Sequence, residues 1–338
     1  MVKEVKLGIA GFGTVGRSLL GILDAKQGLF EKKYNLAFKI LALFEYDGML
    51  FDPDGLDIHN ILEASNIRDL RSVWHQGKLA KDEIPNLAFD LLVEMTPTNV
   101  ETAEPAISHM RAALNSGKHV VSSNKGPFLL FFDEVMDLAQ KNGKQIRFES
   151  TVGSGIPILQ VAESGINGNE VTRIEAILNG TSNYILTRMA NEKLDFDLAL
   201  KEAQERGYAE ADPTLDIGGH DAAGKLVILA NSIMGMKKTI KDVKTEGIVH
   251  VNLDAILMAR KEGFMIKHLG IADSDGNLEV KPTLVPVNSP LGAAISGTLN
   301  AVRLETDLAN EIILMGHGAG GNEAAAGILT DIIQIYKN

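Results

Sequence analysis

The stretch "LGIAGFGTVG" (7–16) decides the fold of the N-terminal part of the chain, because it joins an apolar strand to a helix through a glycine-rich turn. Gly11, Gly13 and Gly16 stand in G-x-G-x-x-G spacing. In such a turn the first glycine permits a tight bend, the second lets the backbone approach a pyrophosphate, and the third lets helix and strand pack closely. The helix then directs unsatisfied N–H groups at the phosphates. The stretch predicts dinucleotide binding, and a purely structural tight turn is the alternative.

The segments that follow this turn alternate between strand-like and helix-like patterns as far as residue 153. Helical spacing of apolar residues predicts helices over 14–26 and 103–117. Apolar runs predict strands over 5–11, 38–45, 89–96, 118–124 and 145–153. Strands that alternate with helices are typical of a parallel, doubly wound sheet. We therefore expect an α/β fold with a Rossmann-type nucleotide domain over residues 1–150.

The pattern changes beyond residue 155. A strand, a turn and a helix are predicted within 171–190, a helix over 221–235, and antiparallel strands within 264–288, joined by the turn "DSDGN". These elements predict an α+β domain over residues 151–320. The apolar spacing of 321–338 predicts a last helix that returns to complete the first domain.

Composition excludes several classes of function. The 338 residues carry 33 Lys and Arg against 44 Asp and Glu, a formal charge of −11, and no segment gathers the basic patch that nucleic acid requires. Apolar runs are too short to cross a membrane, so we expect a cytoplasmic protein. The chain has no cysteine, which removes disulfides, thiolate metal ligands and a cysteine nucleophile. The eight histidines form no metal-binding spacing.

The stretch "GYAEADPTLDIGGHDAAGKLVILA" (207–230) gathers carboxylates and a lysine where an apolar helix begins. Asp221 and Lys225 are four residues apart and share one helix face, and Glu210 precedes them on a loop. A protonated lysine can act as a general acid, and nearby carboxylates can bind a cationic group of a small molecule. An ordinary capped helix start with an exposed ion pair is the alternative.

The choice between NAD and NADP stays open on the sequence alone. An acidic residue at the end of the second strand binds the ribose of NAD, whereas a nearby arginine accommodates the additional phosphate of NADP. Glu45 ends the second predicted strand, and Arg17 follows the third glycine of the turn. Both cofactors therefore remain candidates.

Five segments, in their order and spacing, resemble homoserine dehydrogenases over nearly the whole chain. They are "GFGTVG" (11–16), "SSNKGP" (122–127), "FESTVGSGIPI" (148–158), "NGTSNYIL" (179–186) and "GYAEADPTLDIGGHDAAGKL" (207–226). The resemblance implies interconversion of L-homoserine and L-aspartate 4-semialdehyde with NAD(P), in threonine, methionine and isoleucine biosynthesis, by a homodimer. It also implies that residues 151–320 form the substrate-binding and dimerisation domain. The chain ends soon after the catalytic region, so we expect neither a regulatory ACT domain nor feedback control through one.

The resemblance also assigns roles to individual residues. Lys225 becomes the catalytic acid/base, and Lys125 is the second catalytic residue, beside nicotinamide and substrate. Glu210 and Asp221 bind homoserine. Asp212 and Asp216 either orient Lys225 or only solvate their loop. Cofactor contacts are expected at Gly11, Phe12, Gly13, Thr14, Val15, Gly16, Thr96, Lys125, Gly207 and Gly320.

The segment "ESTVGSGI" (149–156) resembles a site for a monovalent cation, Na⁺, in the same family. The ligands carried over are Glu149, Val152, Ser154 and Ile156, although Ser154 stands where glycine or alanine is usual. Oxygen ligands suit a hard cation. A hinge between domains is the alternative for these glycines.

Two other functions remain possible on the sequence alone. One is a related dehydrogenase that acts on another amino-acid-derived carbonyl. The other is a catalytically silent nicotinamide-binding sensor. Lys225, Glu210 and Asp221 argue against the sensor, because a sensor needs no proton donor on that helix.

Overall fold

The computed structural model of the protein describes residues 2–337, and the chain divides into two units. The first comprises Met1–Gly155 and Gly320–Asn338, and the second comprises Ile156–Ala319. The outermost residues of the predicted domain ranges, Met1 and Asn338, lie outside the described residues. Between residues 2 and 337, none of the helices is long and apolar enough to cross a membrane.

The first unit is built on a seven-stranded sheet. Its strands are β1 (Lys3–Ala10), β2 (Leu36–Glu45), β3 (Gly48–Phe51), β4 (Trp74–Gln76), β5 (Leu91–Glu94), β6 (His119–Ser122) and β7 (Ile146–Arg147). They lie in the order β4-β3-β2-β1-β5-β6-β7. The last four residues of β1 are all buried, as expected of a central parallel strand that is covered on both faces.

The sheet is parallel from β2 to β7, which confirms the Rossmann-type prediction, but one edge differs from the sequence-based expectation. β3 pairs antiparallel with β2, and β4 pairs antiparallel with β3. The short turn at Tyr46 and Asp47 leaves no room for a crossover helix, so the chain folds back as a hairpin. The strand predicted over 145–153 was also too long, since only Ile146–Arg147 is extended and Glu149–Thr151 forms a 3₁₀ turn.

Six helices connect these strands. They are α1 (Thr14–Tyr34), α2 (Ile58–Glu63), α3 (Ala80–Glu83), α4 (Ala106–Asn115), α5 (Gly126–Leu130) and α6 (Phe132–Lys141). α1 is longer than the helix predicted over 14–26 because Phe30 continues its buried face. It ends at Asn35, whose φ of 59° places it in the left-handed region typical of a helix C-terminus.

The second unit contains a six-stranded sheet with helices packed on it. In chain order its elements are α7 (Ile158–Gln160), β8 (Val171–Ile177), α8 (Gly180–Glu192), α9 (Phe196–Glu205), α10 (Thr214–Ile217), α11 (His220–Met234), β9 (Val243–Thr245), α12 (Leu253–Lys261), β10 (Phe264–Asp273), β11 (Leu278–Pro286), α13 (Pro290–Ala293), β12 (Leu299–Thr306) and β13 (Asn310–His317). The strands lie in the order β13-β12-β8-β10-β11-β9, and only β9 and β11 pair in parallel. The predicted hairpin at "DSDGN" is confirmed as β10 and β11.

The last helix of the chain, α14 (Gly321–Tyr336), belongs to the first unit. Its buried residues Ala325, Ile328, Leu329 and Ile332 share a hydrophobic core with residues of β1 and α1. The spacing of these positions matches one face of a helix. This helix therefore supplies part of the core beneath the glycine-rich turn.

Candidate functional site

The three glycines of the turn after β1 are required for different physical reasons. Gly11 has a φ of +95°, and a Cβ there would lie 2.8 Å from the backbone of Met95. A Cβ at Gly16 would lie 2.6 Å from the carbonyl oxygen of Gly11. A Cβ at Gly13, by contrast, would meet no described protein atom within 4 Å. Packing therefore fixes the first and third glycines, whereas the second leaves an open approach to the backbone.

The N-terminus of α1 presents backbone donors at this approach. Gly13 is the N-cap residue, no side chain among the described residues caps the helix, and the first helical turn carries no acidic residue. Thr14, Val15 and Gly16 therefore contribute N–H groups without an intrahelical acceptor, together with the positive end of the helix dipole. This arrangement fits the pyrophosphate of a dinucleotide.

Glu45 and Arg17 both lie at the glycine-rich turn. The N–H of Phe12 donates to Glu45 Oε1 at 2.8 Å, so a carboxylate is fixed at the end of β2. The guanidinium of Arg17 lies over the Phe12 ring, 4.4 Å from its centroid. Glu45 and Arg17, the two residues considered for the choice between NAD and NADP, therefore both contact Phe12.

Thr96 is held by a buried carboxylate that the sequence analysis did not identify. Glu94 ends β5 with no exposed surface, and its Oε1 accepts hydrogen bonds from the N–H of Thr96, at 2.8 Å, and from the Thr96 hydroxyl. Its Oε2 lies 2.7 Å from Nδ1 of the buried His109. Asn124 donates its side-chain amide to the carbonyl of Thr96 at 2.9 Å. This network fixes the backbone at the carboxyl ends of β5 and β6, where ligands bind in this kind of sheet.

Lys125 follows β6 and precedes α5, where it is half-buried. Its N–H donates to the Thr98 hydroxyl at 3.3 Å. The next residue must be small, because a Cβ at Gly126 would lie 2.7 Å from the Asn99 carbonyl oxygen. The motif "SSNKG" therefore places Lys125 at the same edge of the sheet as Thr96.

In the second unit the charged stretch forms an ion pair on the first turns of α11. Lys225 Nζ lies 2.8 Å from Asp221 Oδ2, and the two side chains are 12% and 15% exposed. The ammonium also donates to the carbonyl of Leu178 at 2.7 Å. An ammonium has three donors. Among the described residues the third donor of Lys225 has no partner, so the group can still donate to another molecule.

Asn179 joins this ion pair to the neighbouring loop, a role that the sequence analysis did not assign. Its Nδ2 donates to Asp216 Oδ1 at 2.7 Å and to Asp221 Oδ2 at 3.1 Å. Its Oδ1 accepts from the N–H of Ser182 and caps α8. The family segment "NGTSNYIL" was the available signal, since an asparagine is a preferred residue at a helix start.

The remaining charged residues of the loop have different surroundings: Asp212 stabilises a turn, and Glu210 is exposed. Asp212 accepts hydrogen bonds from Thr214, which lower the pKa of its carboxyl, so it stabilises the turn before α10. Glu210 is exposed, and within the described chain its carboxylate makes no hydrogen bond or ion pair. Gly207 follows α9 with a φ of +73°. Of the two aspartates left open by the sequence, Asp216 is thus the one linked to Asp221 through Asn179.

The residues expected to bind Na⁺ fall in both units. Glu149 is 2% exposed, and its N–H donates to Oδ2 of the buried Asp331 at 2.8 Å. Ser154 has a φ of 52°, in the region that favours glycine. Val152 is also buried in the first unit, whereas Ile156 belongs to the second. In the described chain no group of three or more His, Asp or Glu side chains could hold a metal ion.

Two family models cover these units. The model described as "Homoserine dehydrogenase, NAD binding domain" matches residues 11–149, and the model described as "Homoserine dehydrogenase" matches residues 157–333. The chain belongs to the homoserine dehydrogenase family. Gly320, the N-cap residue of α14 with a φ of 129°, lies in the C-terminal part of the second match.

Several homoserine dehydrogenases match this chain over nearly the full length of both proteins. The homoserine dehydrogenase of Methanocaldococcus jannaschii is 45% identical over 98% of both chains. The NAD(+)-dependent enzyme of Pseudomonas canavaninivorans is 36% identical over 99% of this chain and 97% of its own. A putative homoserine dehydrogenase structure from Archaeoglobus fulgidus has a TM-score of 0.90 and 37% identity, with 99% and 100% coverage. An archaeal homoserine dehydrogenase in complex with NADPH has a TM-score of 0.82 and 28% identity.

These comparisons confirm the prediction of the homoserine dehydrogenase family and of its NAD(P)-dependent oxidoreductase activity. The fold prediction is also confirmed, since a Rossmann-type unit accompanies a second unit with a mixed sheet. The roles of individual residues remain predictions.

Proposed function

We propose that this chain interconverts L-homoserine and L-aspartate 4-semialdehyde with Lys225 as the group that transfers the proton. The observation that supports this role is the ammonium of Lys225, which is oriented by Asp221 and the Leu178 carbonyl with one donor left over. In the direction of reduction, Lys225 donates that proton to the oxygen that develops negative charge. In the direction of oxidation, the same nitrogen accepts the hydroxyl proton.

Glu210 and Asp221 bind the ammonium group of the amino acid in this proposal. Glu210 suits the role because its exposed carboxylate is not engaged by any described residue. Asp221 is positioned by Asn179 and Lys225, so it stays fixed while substrate enters. A site built from paired carboxylates selects a zwitterion over a simple aldehyde, which would leave those charges without a partner.

The first unit binds the nicotinamide cofactor in this proposal. When bound, the cofactor accepts or supplies the hydride. Gly11–Gly16 hold the pyrophosphate, and Thr96, fixed by Glu94, lies along the cofactor. Lys125 contributes a positive charge at the same sheet edge, while Gly207 and Gly320 provide further cofactor contacts.

We propose that NAD is preferred over NADP. Glu45 supports this preference, since its carboxylate is fixed at the end of β2 by the N–H of Phe12 and would repel an additional phosphate on the ribose. Arg17 is already stacked on Phe12, which makes it a weaker candidate for a phosphate ligand. The ratio of kcat/KM for the two cofactors in the wild-type chain decides this point.

We also propose that Glu149, Val152, Ser154 and Ile156 bind Na⁺. The donors available are one buried carboxylate and backbone carbonyls, a set that suits a hard cation. Replacement of NaCl by choline chloride should then lower the thermal unfolding temperature of the wild type but not that of Glu149→Gln. Equal shifts in both would contradict the site.

The assembly proposed is a homodimer formed through the sheet of the second unit, in the cytoplasm. β13 is an edge strand with half-buried Ile312, Ile313 and Leu314 and with Met315 57% exposed. Apolar residues on an open strand favour association with another copy. Light scattering should give twice the chain mass, and Met315→Glu should reduce it; a monomeric wild type would contradict the proposal.

The experiment that tests the function measures initial rates with L-homoserine and either NAD or NADP, on the wild type and Lys225→Ala. General acid–base catalysis contributes about 10²–10⁴-fold, so kcat should fall by about that factor in Lys225→Ala. Cofactor binding should stay unchanged, because Lys225 is proposed to act on the substrate and is not one of the proposed cofactor contacts. Lys201→Ala, an exposed lysine on α9, is the matched control and should keep full activity. Full turnover by Lys225→Ala would exclude the proposed mechanism.

A further inference from the structure

A cavity of about 450 Å³ opens at the edge of the first unit's sheet where its parallel strands begin. Lys3 begins β1, His119 begins β6 and Tyr336 ends α14, and all three line the cavity. The glycine-rich turn follows the other end of β1. A strand of eight residues spans about 25 Å. The cavity is therefore separate from the edge at which the cofactor is proposed to bind.

Three lysines give the cavity a surplus of positive charge. Lys3, Lys118 and Lys144 line it, together with the carboxylates of Glu4 and Asp90. Within the described chain none of these lysines forms an ion pair with a carboxylate. Asp90 instead accepts the backbone N–H of Lys6 at 2.8 Å. In a chain with a formal charge of −11, such a local surplus of cations attracts anions.

Lys118 shows that this surplus is built into the fold. It is only 5% exposed, and its Nζ donates to the Ser116 hydroxyl at 3.1 Å and lies 5.1 Å from the centre of the Phe89 ring. Burial lowers the pKa of Lys118; Asp90 opposes this effect, and the charge of Lys144 adds to it. No carboxylate among residues 2–337 forms an ion pair with Lys118, so the partial compensation by Asp90 leaves its ammonium able to attract a further anion.

Two neutral donors complete the cavity. The N–H of Gln145 donates to His119 Nδ1 at 3.0 Å, so the neutral imidazole carries its proton on Nε2. Burial and the charges of Lys144 and Lys3 lower the pKa of His119, against the opposing effect of Asp90, which favours this neutral form. The hydroxyl of Tyr336 is buried and has no hydrogen-bond partner among the described residues. A buried hydroxyl without a partner is costly, and a ligand with acceptor oxygens would satisfy it.

We propose that this cavity binds a small dianion, either a phosphate monoester or a dicarboxylate. Lys3, Lys118 and Lys144 supply the charge, and the His119 and Tyr336 side chains supply neutral hydrogen bonds to its oxygens. The volume suits a metabolite-sized ligand. The site is independent of the dehydrogenase chemistry proposed above.

The test is calorimetric titration of the full chain with inorganic phosphate and, separately, with succinate. The chain is first saturated with NAD, so that the glycine-rich turn is not available to the added anion. We expect saturable binding of one equivalent of at least one probe, and the probe that binds more tightly identifies the class. Loss of one charge-assisted contact should weaken binding about tenfold in Lys144→Ala.

Two further variants make the result specific. Tyr336→Phe removes only the buried hydroxyl and should weaken binding without loss of folding. Lys141→Ala, an exposed lysine at the end of α6, should leave binding unchanged. The proposal is overturned if neither probe shows saturable binding below about 10 mM. It is equally overturned if Lys144→Ala and Tyr336→Phe bind as Lys141→Ala does, since the anion would then lie elsewhere.

Discussion

Glu94 illustrates how one buried residue can fix the backbone at the edge of a sheet. Its carboxylate is fully buried and receives donors from Thr96 and from His109. A buried carboxylate is tolerated only when its oxygens are satisfied by donors. The same hydrogen bonds that satisfy Glu94 therefore hold Thr96, a proposed cofactor contact, in place, so we expect both stability and cofactor binding to depend on Glu94.

Substitution of Glu94 by glutamine should lower both the stability of the protein and its affinity for the cofactor. Glu94→Gln keeps the shape but replaces one acceptor oxygen by a donor, so a hydrogen bond is lost in the interior. We expect the free energy of unfolding to fall by about 1–3 kcal/mol, and the KM for the nicotinamide cofactor to rise more than kcat falls. Thermal unfolding and initial rates measure these effects. Glu101→Gln, at an exposed position, is the control. A Glu94→Gln enzyme indistinguishable from this control would show that the network does not position Thr96.

Lys267 presents the opposite case, a buried cation that has no carboxylate partner among residues 2–337. It is 1% exposed on β10, its Nζ donates to Asn183 Oδ1 at 3.2 Å and to the Ile295 carbonyl, and burial lowers its pKa to about 8. The unfolded chain, with the ordinary lysine pKa of 10.5, holds more protons than the folded chain between these values. Stability should therefore rise with pH across this window.

For Lys267 we predict that the free energy of unfolding depends on pH differently in the wild type and in Lys267→Met. From pH 8 to pH 10.5 the wild type should gain at most about 3 kcal/mol relative to Lys267→Met, because only the lysine loses its buried charge. Urea unfolding at several pH values in this range, followed by circular dichroism, measures the difference. If the wild-type and Lys267→Met curves stay parallel, the buried ammonium makes no such contribution.

Some of these residues could not be identified from the sequence because their partners are distant along the chain. Asp221 and Lys225 are four residues apart, and helical geometry alone predicted their contact. Asn179 reaches Asp216 over 37 residues, and Asn183 meets Lys267 over 84. No local pattern encodes such contacts. A buried polar residue in an apolar run, as Lys267 is, shows only that some partner must exist.

Among the elements, those with strong local signals were predicted best. β1, the glycine-rich turn and α1 follow from apolar periodicity and glycine spacing, and the hairpin of β10 and β11 follows from its turn residues. β3 and β4 are only four and three residues long, too short for an alternation to stand out. The strand predicted through residue 153 failed because the chain turns at Glu149, where its N–H meets Asp331 of α14.

The glycine-rich turn permits a prediction that separates binding from folding. Gly13→Ala places a methyl group where no described protein atom lies within 4 Å, so stability should be unchanged while cofactor binding weakens. Gly16→Ala places a methyl group 2.6 Å from the Gly11 carbonyl oxygen, so the helix must move and the unfolding temperature should fall. Thermal unfolding and cofactor fluorescence distinguish the two variants. Normal cofactor affinity in Gly13→Ala would mean that the backbone of the turn is not approached by the pyrophosphate.

At the scale of the whole molecule, the first unit is made from two separate parts of the chain. Apolar spacing predicted α14, but only the structure gives the side chains it buries against β1 and α1. The two parts come close at their ends, since a Cβ at Gly155 would lie 3.3 Å from the Glu323 carbonyl oxygen. A short connection could therefore replace the whole second unit.

This geometry predicts that residues 1–155 fold into a cofactor-binding unit only when α14 is present. A chain in which a short glycine-serine linker joins residues 1–155 to 320–338 should unfold cooperatively and bind the nicotinamide cofactor. Residues 1–155 alone should bind it poorly, because the core residues Leu19 and Leu20 lose the apolar face that covers them. Circular dichroism and cofactor fluorescence provide the measurements. The matched control is the linked chain with Ile328→Asp, which retains the length of α14 but places a charge at a fully buried position. Equal cofactor binding by all three chains would show that α14 is not part of the folding unit. If only the linked chain without Ile328→Asp binds the cofactor, the apolar face of α14 completes the first unit.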